Sequence, residues 1–174
     1  DLAKSASQPA VQLATLCLQK NRRPEAKTWA EKAISLDSNN AQAHLALGSY
    51  LASMKRLPQA EQEFRLVTKL ASGNAQGFFN LASMLAGQRK FPEAIATFNQ
   101  TLKVDPKMVQ AAGYIGVIYQ NQGKYAEAIK TQERAFQFGQ NRAAAHCHLS
   151  LCTHMAEHRN SGMAGQAVEC WCTR

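Results

Sequence analysis

Apolar and polar positions along this chain repeat in register every 34 residues. Written in rows 7–40, 41–74, 75–108 and 109–142, with an imperfect fifth row from Ala143, several columns agree. The seventh reads Leu13, Leu47, Leu81, Ile115 and Leu149, and the eleventh Cys17, Leu51, Leu85 and Tyr119. The eighth is always small: Ala14, Gly48, Ala82, Gly116, Ser150. The twentieth is always alanine (Ala26, Ala60, Ala94, Ala128), and the thirtieth is Leu36, Leu70, Val104 and Phe138. Apolar residues at positions four, seven and eleven share one face of a helix. A small eighth residue lets a second helix approach closely.

That second helix has its own start signal. Pro24, Pro58 and Pro92 occupy one column, where proline suits the first turn of a helix because its missing N–H has no partner there to lose. The fourth row keeps the following alanine but replaces the proline with Ala126. Polar turns close the rows at Asp37-Ser38-Asn39-Asn40, Ser72-Gly73-Asn74 and Asp105-Pro106, and Asn40 and Asn74 are candidate N-caps. Each row is therefore predicted to be two antiparallel helices. First helices are expected near 8–20, 41–54, 75–88, 109–122 and 143–156, second helices near 24–36, 58–71, 92–104 and 126–138.

At this point the sequence resembles the tetratricopeptide repeat family. "FFNLASMLAGQRKFPEAIATFNQTLKVDP" carries Phe78, Leu81, Ala82, Leu85, Ala94, Phe98 and Pro106 of the motif, and "YIGVIYQNQGKYAEAI" adds Ile115, Gly116, Tyr119, Gly123, Tyr125 and Ala128. Ala10 and Ala112 depart from the bulky fourth residue, and Thr101 from a small apolar one. The resemblance implies an all-α, right-handed superhelical solenoid of tandem helix pairs, one domain overall. Its repeats are 7–40, 41–74, 75–108 and 109–142, followed by a partial or degenerate fifth repeat and tail, 143–174. Leu2 fits the thirtieth column, so residues 1–6 read as the end of a preceding repeat or as a leader.

The resemblance also implies that first helices line a concave side, with positions two, five, six and nine facing inward. Position two is an unbroken ladder of Gln8, Gln42, Gln76 and Gln110. Position five gives Val11, Leu45, Phe79 and Gly113, and position nine Thr15, Ser49 and Ser83, while Asn80 and Tyr114 occupy position six. Together these make a neutral groove with an apolar floor and amide edges, suited to a protein or peptide partner. Relatives that grip carboxylate termini use lysines where this chain has Val11, Leu45 and Phe79, so that activity is not expected. Phe79 stands next to Phe78, which fills the bulky core position, so Phe79 reads as a spare, exposed anchor. The ladder also has a plain reading, since glutamine is a good polar helix former.

Charge adds one feature. The chain carries 20 Lys and Arg against 12 Asp and Glu, a net +8. Lys20, Arg22, Arg23, Lys55, Arg56, Arg89, Lys90 and Lys124 all fall at the turn inside a pair, a stripe that helix C-termini partly account for. Nucleic acid is disfavoured as a partner for want of a broad clustered basic face, although a basic nucleic-acid-binding solenoid is the alternative reading. Self-association through the ends of the stack is a further option. No run of apolar residues is long enough to span a membrane.

No nucleophile elbow, phosphate loop or HExxH occurs, and Glu25, Glu93 and Glu127 sit where a helix dipole favours a carboxylate. The chain therefore reads as non-catalytic and without a cofactor, a scaffold or the targeting segment of a larger enzyme. Of five cysteines, Cys17 falls in a helical apolar pattern and is expected as a buried free thiol. The absence of a disulfide framework points to a reducing, cytoplasmic compartment. The stretch "HCHLSLCTHMAEH" and the later "CWC" pair His148 with Cys152 and His154 with His158 at helical spacing. They match none of the regular zinc spacings, so no stoichiometric zinc is expected.

Overall fold

A computed structural model describes the backbone of residues 2–138 and the side chains of residues 6–133. Among these, eight helices follow one another: α1 Leu2–Gln19, α2 Arg23–Leu36, α3 Ala41–Ser53, α4 Leu57–Leu70, α5 Ala75–Gly87, α6 Phe91–Val104, α7 Val109–Asn121 and α8 Tyr125–Phe138. The fifth row and the His/Cys segment lie outside the described residues. The chain divides into two compact units, Asp1–Val104 and Asp105–Arg174. In the first, α1 pairs with α2, α3 with α4 and α5 with α6. Neighbouring pairs meet through α2 on α3, α4 on α5, α1 on α3 and α3 on α5. In the second, α7 pairs with α8. Residues 2–6, read as a preceding repeat's end or a leader, are instead the opening turns of α1, and Pro9 lies inside that helix.

The predicted end signals act as expected. Asn40 Oδ1 accepts from the N–H groups of Gln42 and Ala43 at 3.0 and 3.2 Å, and Asn74 Oδ1 from that of Gly77 at 3.1 Å. Pro24 and Pro58 sit in the first turns of α2 and α4. The turn within each pair closes with a backbone reversal: Arg22, Arg56, Lys90 and Lys124 donate to Cys17, Leu51, Leu85 and Tyr119, between 2.8 and 3.0 Å. The residue before each donor is left-handed, at φ 58° for Asn21, 59° for Lys55, 61° for Arg89 and 71° for Gly123. Only the last is glycine. A side chain in that conformation costs roughly 1–2 kcal/mol.

Packing within a pair depends on small residues. Ala26, Ala60, Ala94 and Ala128 are all at most 1 % exposed. The large core residues sit four further along, where Phe64 and Phe98 are buried, Ala30 takes the same place in the first row and Gln132 in the fourth. Gly48 lies under Phe64: a β-carbon on it would come within 2.7 Å of the ring. Cys17 is a buried free thiol, as expected. Thr101, the polar departure in the core, donates its hydroxyl to the Thr97 carbonyl at 3.2 Å. Ala94→Leu, at a fully buried crossing, is expected to destabilise the first unit by about 1–3 kcal/mol in urea denaturation.

Candidate functional site

The first helices of the first unit, α1, α3 and α5, touch in succession and form one face. Gln8, Gln42 and Gln76 are exposed on it. Gln76 Nε2 donates to Asn80 Oδ1 at 2.8 Å, joining positions two and six of the third row. The side-chain amides of Gln8 and Gln42 make no hydrogen bond among the described residues. Each position-nine hydroxyl turns back onto its own helix: Thr15 donates to Val11, Ser49 to Leu45 and Ser83 to Phe79, at 2.8 to 3.0 Å. These hydroxyls are therefore occupied as donors, and only their acceptor capacity points outward.

Position five is not uniform. Leu45 and Phe79 are half-buried. Val11 is 6 % exposed and belongs to a core cluster with Ala10, Ala33 and Ala43, so it does not present a floor surface. Phe79 is not the exposed aromatic its neighbour suggested. Its ring meets Phe98 edge-on, with centroids 5.7 Å apart and planes at 63°, and Phe78 beside it is also half-buried. Phe79 therefore couples the face to the core of its own pair. In the second unit, α7 carries the same columns, with Gln110 exposed, Gly113 open at its α-carbon and Tyr114 48 % exposed.

Two polar clusters were not legible in the sequence as such. His44 is buried at the bulky fourth position, its Nδ1 2.7 Å from the Glu63 carboxylate and its Nε2 3.0 Å from the Ser38 carbonyl. Glu61 is buried between pairs, accepting from Arg65 at 2.8 Å, Gln88 at 2.7 Å and Lys90 at 2.9 Å. Burial pushes its carboxyl up, but hydrogen bonds from Lys90, Arg65 and Gln88, with the Lys90 charge, outweigh this and hold it at about 2. Arg65, which also reaches Glu93 at 3.2 Å, is pushed up chiefly by its hydrogen bond to Glu61. Both clusters tie helices together: His44 of α3 to Glu63 of α4, and Glu61 of α4 to Gln88 and Lys90 at the end of α5.

A cleft lined by Leu13, Leu16, Cys17 and Trp29 together with Lys20, Arg22 and Glu25 opens on the first pair. Leu13 is 37 % exposed although Leu81, in its column, is 6 % exposed. The difference has a simple cause: α3 and α5 pack on the pair before them, and among the described residues α1 has no such neighbour. Among the described residues, no three His, Cys, Asp or Glu side chains are grouped to hold a metal, and no helix is long and apolar enough to cross a membrane.

Comparison with solved structures finds the same fold at low identity. PilF of Pseudomonas aeruginosa superposes with a TM-score of 0.81 at 20% identity, covering 96% of this chain and 80% of that one. MamA gives 0.76 at 17% identity, covering 89% and 85%. YrrB, described as a TPR protein with an unusual peptide-binding site, gives 0.71 at 19% identity, covering 89% and 80%. No curated protein matches the sequence. The sequence itself matches the tetratricopeptide repeat pattern over residues 11–75 and 79–146. With the helix pairs, the alanine crossings and the repeated turns in agreement, the chain belongs to the tetratricopeptide repeat family.

Proposed function

We propose that this protein is a non-catalytic scaffold that holds an extended peptide or a partner helix against α1, α3 and α5 of its first unit. Tetratricopeptide repeats serve in general as protein-interaction modules, and YrrB is described as having a peptide-binding site. One observation carries the reading here: Gln8, Gln42 and Gln76 stand exposed on three consecutive touching helices, beside the half-buried Leu45 and Phe79. An amide both donates and accepts, so a ladder of them can pair with a peptide backbone while floor residues receive side chains. Asn80, Ser49, Ser83 and Thr15 border the same strip. Gln110, Gly113 and Tyr114 offer a like surface on α7.

The test uses peptides selected from a random library on the folded protein. Gln42→Arg/Gln76→Arg changes only exposed side chains, so the melting temperature is expected to stay near the parent. Affinity for the selected peptides is expected to fall roughly tenfold, equivalent to about 1.4 kcal/mol. Unchanged affinity in a normally folded variant would remove the ladder from the site. Phe79→Glu is expected to lower both affinity and stability, because it also strips the edge contact on Phe98.

A further inference from the structure

We propose that the edge of the first unit formed by its within-pair turns is a second docking surface, which takes an acidic peptide segment through Lys20, Lys55, Arg56 and Arg89. It is separate from the amide ladder and does not rest on it. The three turns share one edge. Asn40 Nδ2 donates to Ser7 Oγ at 2.9 Å, so α3 begins beside the early part of α1 and the two run the same way. Gln88 and Lys90, at the end of α5, reach Glu61 near the start of α4, which sets the third turn beside the second. The opposite edge, residues 37–40 and 71–74, carries no basic residue.

All four side chains are exposed, and among the described residues none of them has an ion pair or a side-chain hydrogen bond. The backbone makes a second, independent point. Lys55 and Arg89 occupy the left-handed position that Gly123 fills in the second unit, where glycine carries no steric penalty. Two long cations thus stand where conformation alone favours glycine.

The partner's chemistry follows from what this edge already binds. Arg22 holds the Glu25 carboxylate at 2.7 Å, and Lys90 holds that of Glu61 at 2.9 Å. The unpaired cations suit further carboxylates, supplied by a partner. A nucleic acid fits less well, because the charges stand on separate tips and do not form one broad basic face.

Fluorescence anisotropy with a short labelled poly-glutamate peptide tests the proposal, with random-sequence duplex DNA as the competing probe. Binding of poly-glutamate is expected to weaken as salt rises. Lys55→Gly/Arg89→Gly is expected to bind about tenfold more weakly while melting at a higher temperature than the parent. Lys69→Ala/Lys103→Ala removes the same charge from exposed positions off this edge and is expected to keep affinity within about twofold. Four results would overturn the proposal: no binding; no loss in the glycine variant; an equal loss in the control, which would mean net charge alone; or tighter binding to DNA that the glycine variant abolishes.

Discussion

Gln132→Met is expected to stabilise the second unit by about 2 kcal/mol, read as a higher urea midpoint with an unchanged slope. Gln132 is 2 % exposed, and among the described residues neither its Nε2 nor its Oε1 has a hydrogen-bond partner. An unpaired buried amide costs about 1–3 kcal/mol, and methionine keeps nearly the same volume without the polar atoms. The repeat explains what the site wants. Phe64 and Phe98 fill the same column in the rows before, and Gly116 lies beneath Gln132 as Gly48 lies beneath Phe64: an added β-carbon would meet the side chain at 2.6 and 2.7 Å respectively. A midpoint equal to or below the parent's would show that the amide is satisfied, or that its shape is needed there.

The second large effect runs the other way. Glu61→Gln is expected to destabilise the first unit by about 2–3 kcal/mol near neutral pH. The glutamine keeps the shape but loses the charge that Lys90 and Arg65 complement. The parent protein should show the same loss in acid. Its Glu61 carboxyl titrates at about 2, below the ordinary 4.5 of the unfolded chain. A depressed carboxyl contributes its stabilisation fully above pH 4.5, and that contribution fades as the pH falls toward 2. The shift corresponds to about 3 kcal/mol, reduced somewhat because Lys90 and Arg65 are half-exposed and screened. In urea titrations the gap between parent and variant should therefore shrink by about half between neutral pH and pH 3. A constant gap between them would locate the effect in packing instead of charge.

The fold was legible because its determinants are local and repeated. Alanine at the twentieth position, the prolines of the second helices and the asparagine caps each act within one row, and rows in phase reinforce one another. What crosses between rows was not legible. Glu61 meets Gln88 and Lys90 from 27 and 29 residues away, a pairing that no helical period announces. Val11 was read as floor because its column also holds Leu45 and Phe79, but Ala43 of the next pair covers it. Phe79 was read as spare because Phe78 stood in the core column, yet its ring leans on Phe98 and both phenylalanines are half-buried. Leu36 and Leu70 keep an apolar column at helix ends where each remains 39 % exposed. The left-handed turns could be located only by aligning Lys55 and Arg89 with Gly123, since neither residue type signals that conformation.

The central claim is that α1, α3 and α5 present the working surface. Amide chemical-shift mapping of the labelled protein, titrated with a peptide selected from a random library, tests it most directly. The account predicts that the largest shifts cluster at Gln42, Leu45, Gln76, Phe79 and Asn80. Shifts concentrated on α2, α4 and α6, with those five residues unmoved, would contradict it.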